Sequence, residues 1–82
     1  MRVIITPKAL AHCKHLPKKD LLKIRQRLKL LEISPRLGKK LEGKFAGTYS
    51  LRAWPYRIIY IIDKKQRTIF IVSVLHRQGV YK

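Results

Sequence analysis

Eighty-two residues with 46% hydrophobic content suit one domain, residues 1–82, with a thin core. Twenty Lys and Arg face four acids, Asp20, Glu32, Glu42 and Asp63, for a net charge of +16 at pH 7. Such self-repulsion calls for an anionic partner, nucleic acid before acidic protein, and so few carboxylates argue against a two-metal hydrolase.

Residues 2–6 read as a short strand. Thr6-Pro7 then reads as a helix N-cap and first helical residue, where proline's missing N–H does no harm. The first helix is expected over Pro7–His15, and Leu16-Pro17 breaks it. A second helix restarts at Pro17, with Leu21, Ile24, Leu28 and Leu31 at helical spacing and Lys19, Lys23, Arg27 and Lys29 elsewhere on its surface. Ser34-Pro35 ends it, because a residue before proline avoids helical angles. Pro35–Gly43 reads as a loop.

Residues 44–52 alternate as a half-exposed strand, and Trp54-Pro55 marks a turn. Tyr56–Asp63 and Thr68–Leu75 are apolar on both faces, as expected of central strands covered on both sides. The Asp63–Arg67 link lacks glycine, so a loop of three to five residues is expected rather than a tight primed turn. The order β-α-α-β-β-β predicts an α+β fold. A two-helix hairpin packs on one face of a mostly antiparallel four-stranded sheet, and the other face reads as a groove for a partner in preference to a sheet that curls on itself.

The single cysteine, Cys13, excludes an intrachain disulfide and suggests a reducing, cytoplasmic setting. No signal peptide is evident, and no apolar run approaches the roughly 20 residues of a membrane span. His12, Cys13 and His15 suggest a metal site at first glance. No fourth ligand has a suitable spacing, so they read better as a buried thiol beside two surface imidazoles. No metal or cofactor is expected.

The apolar strands are bracketed by cations and proton donors: Arg52, Trp54 and Arg57 before one, His76, Arg77 and Tyr81 after the other. Lys44 adds a cation upstream. Arginines beside an apolar strand in a chain so poor in acids have few carboxylates to pair with. Trp54 reads equally as a lid on the core or as a stacking platform for a base.

The run YSLRAWPYRIIY at residues 49–60, the hairpin after it and His76-Arg77 with Tyr81 resemble the RelE/ParE toxins of type II toxin–antitoxin modules. The opening VIITPKAL at residues 3–10 and the element order agree, so the resemblance covers essentially the whole chain. It implies a toxin restrained by an acidic antitoxin. RelE-type members cleave mRNA in the ribosomal A site without a metal, inhibiting translation. ParE-type members share the fold and act on DNA gyrase without nuclease activity, which is the alternative here.

By motif, the resemblance places Arg57 on the scissile phosphate, Arg77 near the leaving group and Tyr81 against the nucleotide. Arg52 matches a basic residue before the turn; Lys44 and Trp54 join it as candidate RNA-binding residues. Well-known cleaving members carry two lysines where this chain has Thr48 and Ser50. His76 is the nearest substitute as general base, because imidazole titrates near neutrality, and Lys44 is another.

Overall fold

The computed structural model describes residues 1–77. Thr6 opens the first helix as its position implies. Its hydroxyl accepts from the Ala9 N–H at 3.3 Å and donates to the Ile71 carbonyl at 2.7 Å. Helix α1 spans Pro7–Cys13, stopping short of the expected His15. Helix α2 spans Lys18–Ile33, with Ile24 and Leu31 buried. The Ser34 N–H donates to the Leu30 carbonyl at 2.8 Å, and Pro35 prevents a further turn.

The strands are β1 (Arg2–Ile5), β2 (Lys39–Lys40), β3 (Tyr49–Ala53), β4 (Tyr56–Asp63) and β5 (Thr68–His76). They form one sheet in the order β1-β5-β4-β3-β2. β1 runs parallel to β5, and every other pairing is antiparallel. The fold is α+β, as expected, with five strands rather than four. The added strand, β2, comes from the segment read as a loop. Two lysines carry no periodicity from which a strand could be read.

β3 also begins later than expected. Gly43–Phe45 form a 3-10 turn, and Gly43 and Gly47 take φ of +68° and +90°. Those left-handed angles break the extended chain, so the alternation upstream of Tyr49 is not a strand.

The helices pack on one sheet face. Beneath them lie Leu51, Tyr56, Ile58, Tyr60, Ile69, Ile71 and Val74, all buried. Burial alternates along β4, so the expected cover on both faces does not hold there: Arg57, Ile59 and Ile61 of the opposite face are only half-buried. Two phenols fasten the layers. The Tyr56 hydroxyl donates to Asp20 Oδ2 at 2.8 Å, tying β4 to the first turn of α2. The Tyr60 hydroxyl donates to the Pro35 carbonyl and accepts from the Gly38 N–H, both at 2.9 Å, anchoring the α2–β3 connection.

β1 ends at Ile5, which would leave the outer edge of β5 open beyond it. Thr6 takes over by donating its N–H to the Ile71 carbonyl at 3.1 Å. His12 Nδ1 then accepts the Val74 N–H at 3.2 Å. His12, expected as a surface imidazole, is thus an edge cap for the sheet.

Candidate functional site

The register places Arg52 directly opposite Arg57, so both guanidiniums leave the sheet on the face away from the helices. Trp54 occupies the turn that follows. Two groups hold that turn from outside. Lys23 Nζ donates to the Trp54 carbonyl at 2.8 Å, and the Arg77 N–H donates to the Pro55 carbonyl at 2.8 Å. The indole is 52% exposed. The Arg77 guanidinium lies 5.2 Å from its centre and the Arg52 guanidinium 5.9 Å. Each contact is of the kind worth about 0.5–1 kcal/mol at an exposed site.

Arg52, Trp54, Arg57 and Arg77 therefore meet at one end of the sheet, where β3 and β4 turn and β5 ends. A cleft of about 480 Å³ adjoins them, lined among others by Arg27, Lys39, Ser50, Arg52, Trp54 and Arg57. Ser50 is 4% exposed, and its hydroxyl has no hydrogen-bond partner among the described residues. The carboxylates are engaged or placed elsewhere. Asp20 takes the Tyr56 hydroxyl and Asp63 accepts the Gln66 N–H at 3.1 Å. Glu42 precedes the 3-10 turn, and the Glu32 carbonyl accepts from the N-terminal amine at 2.8 Å. The cluster is a concentration of positive charge that suits an anion.

His76 does not share the arginines' face. It stands opposite Tyr56 and packs edge-on against that ring, with centroids 5.5 Å apart and planes at 86°. A register shift between Ile59 and Tyr60 causes this. Unbroken, the Tyr60–Ile71 register would pair Arg57 with Val74 and bring His76 to the arginines' face. The one-residue bulge pairs Arg57 with Leu75 instead and turns His76 toward the helix side. Lys44 also stands apart. It lies in the 3-10 turn before β3, whereas Arg52 lies near the strand's far end, and its ammonium is 5.6 Å from the Phe45 ring. Tyr81 lies outside the described residues.

Lys23 and Arg27 were read as part of a solvated helix face, yet one holds the tryptophan turn and the other lines the cleft. Their i, i+4 spacing on α2 was the available signal. Among the described residues, no three His, Cys, Asp or Glu side chains converge as a metal would require. No helix there is long and apolar enough to cross a membrane. Burial raises the Cys13 thiol above its ordinary value, which disfavours the reactive thiolate.

Comparisons with known proteins agree with this architecture. A family model described as the ParE toxin of type II toxin–antitoxin system, parDE, matches residues 3–81. This chain resembles one in the RelBE2 toxin–antitoxin complex of Mycobacterium tuberculosis, at 35% identity and TM-score 0.85, covering 93% of this chain and 96% of that one. A chain of the archaeal RelE–RelB complex of Pyrococcus horikoshii is 28% identical at TM-score 0.79, covering 96% of this chain and 97% of that one. Toxin RelG of Mycobacterium tuberculosis is 43% identical over 47 residues, 57% of this chain and 54% of that protein, so the match spans about half of that curated relative. With a family model matched over nearly its whole length, the chain belongs to the ParE toxin family of type II toxin–antitoxin systems.

Proposed function

We propose that this toxin is a RelE-like mRNA interferase, a metal-independent endoribonuclease that cuts mRNA in the ribosomal A site and so inhibits translation. The observation that carries the reading is that Arg52 and Arg77 gather at the Trp54 ring beside a cleft that Arg57 also lines, with no carboxylate paired to these arginines among the described residues. The chemistry needs little else. The RNA 2′-oxygen attacks the adjacent phosphorus and the 5′-oxygen leaves, giving a 2′,3′-cyclic phosphate. Negative charge builds on the phosphate oxygens, where pre-placed guanidiniums stabilise it most. Arg57, on the rigid central strand, holds that phosphate; Arg77, past the end of β5, serves the leaving oxygen. The proton on the attacking hydroxyl must pass to a base. His76 reaches that role only through a rotation about the end of β5 or through water.

Several relatives support this over gyrase inhibition, since the similar proteins at 25% identity or more carry RelE, RelG or YoeB names. Beside the ParE family model itself, the ParE alternative has one observation from the site in its favour: Thr48 and Ser50 stand where the resemblance expects lysines, and Ser50 is buried. The partner that restrains the toxin is a cognate acidic antitoxin. Similar structures are toxin–antitoxin complexes, and a charge of +16 suits an acidic partner. Both mRNA and the antitoxin would be met in the cytoplasm.

Toe-printing of a defined mRNA on programmed ribosomes tests the proposal. The wild type should produce cuts at codon-defined positions. Arg57→Ala should reduce them roughly 10²-fold while unfolding at the same urea concentration. Intact mRNA with folded wild-type protein would favour the gyrase reading, and full cutting by Arg57→Ala would remove Arg57 from the site.

A further inference from the structure

Building on the interferase reading, we propose that Trp54 is a positioning residue: its ring holds the Arg52 and Arg77 guanidiniums in place for an RNA phosphate without neutralising them. A site that concentrates cations has two ways to order them. A carboxylate orders a guanidinium but cancels its charge, and the bound phosphate must then compete with it. An aromatic face attracts the same cation through its quadrupole and leaves the full charge available. This chain has only four acids, and none pairs with these arginines among the described residues. It has one tryptophan, and both arginines lie within 5.9 Å of its centre.

The placement of the ring supports a holding role. Arg52 is on β3 and Arg77 follows β5, so the sheet alone does not bring their long side chains together. The ring stands between these chain segments, on a turn fixed to α2 through Lys23 and to Arg77's own backbone through the Pro55 carbonyl. Two like charges over one ring repel each other, and a phosphate arriving between them relieves that repulsion. The ring therefore carries the cost of keeping the arginines together before the ligand arrives, which is what pre-organisation requires. The indole's 52% exposure fits a surface device better than a core lid.

A non-cleavable 2′-O-methyl oligoribonucleotide, titrated against the full chain over a range of salt concentrations, is the probe. Trp54→Leu should weaken binding about tenfold with the salt slope unchanged, because every cation remains. Trp54→Phe should recover most of the loss. Arg52→Ala and Arg77→Ala should each lower the slope by about one, and Trp54→Leu should add nothing once both arginines are gone. In the free protein, ring current should displace the Arg52 and Arg77 Nε–H resonances, and Trp54→Leu should return them to ordinary positions.

A base-stacking role predicts otherwise. An abasic oligomer would bind wild type as weakly as the intact one binds Trp54→Leu, and Trp54→Leu would cost further affinity in a protein already lacking both arginines; either result overturns the proposal. So does undisturbed binding by Trp54→Leu, or a wild type with no salt-dependent RNA binding. Should toe-printing give no cuts, the interferase reading falls, while the resonances and salt slopes still decide the role of Trp54.

Discussion

At the scale of single residues, Gly38 is the most tightly enclosed of the described glycines. A Cβ there would sit 2.6 Å from the Tyr60 hydroxyl oxygen and 2.9 Å from the Ser50 carbonyl oxygen. Neither is the loose end of a flexible chain, since Tyr60 is fully buried and hydrogen-bonded. Gly38→Ala should therefore cost about 1–3 kcal/mol, read from the urea midpoint; an unchanged midpoint would mean that the segment before β2 yields freely. Other residues differ in how readily their roles could be read. The arginines stood out because cations flanked an apolar strand in a chain with few acids. The ring that gathers two of them did not, since exposure and cation geometry at Trp54 are three-dimensional facts. Ser50 was legible only as a missing lysine. Its buried hydroxyl, unpaired among the described residues, lines the cleft and follows from register rather than residue type.

At the scale of elements, proline and threonine made the helices legible, because Thr6-Pro7 and Ser34-Pro35 fix ends by steric rules that act locally. The sheet was less open to reading. β2 is too short for a pattern, and a one-residue bulge in the β4–β5 ladder moved His76 away from Arg57. Such a bulge depends on how two strands meet. The phenols that join helices to sheet give a measurable consequence. Burial raises Tyr56 above its ordinary 10.0, and the hydrogen bond and charge of Asp20 raise it further. Burial also raises Tyr60, although the Gly38 N–H pulls the other way. In each case the unfolded chain ionises first as pH rises. Their contribution is full below about pH 10 and is lost as pH climbs through the raised folded values. Tyr56→Phe/Tyr60→Phe should lose stability at neutral pH through its missing hydrogen bonds, yet decline less steeply above pH 10 than wild type. Urea midpoints across that range check this. The two proteins differ only at the phenols, so the difference between the curves isolates them, and parallel curves would contradict the assignment.

At the scale of the whole molecule, charge and topology act together. A charge of +16 opposes compaction in every part of the fold, and the small core has to hold against it. The core is closed by the pairing of β1 with β5, in which Arg2 lies beside Thr68 and Ile5 beside Ile71. That pairing sets a timetable for synthesis. β1 is made well before β5 and has no neighbour until β5 follows, since β5 is its only partner in the sheet among the described residues. Nascent chains halted at Gln66 should be digested readily by protease, whereas chains released in full should resist. Resistance at Gln66 would show that β1 is not needed to close the fold. A toxin whose proposed target is the ribosome is thus assembled on one while its sheet is still open, and β1 waits through both helices and three strands before it can dock.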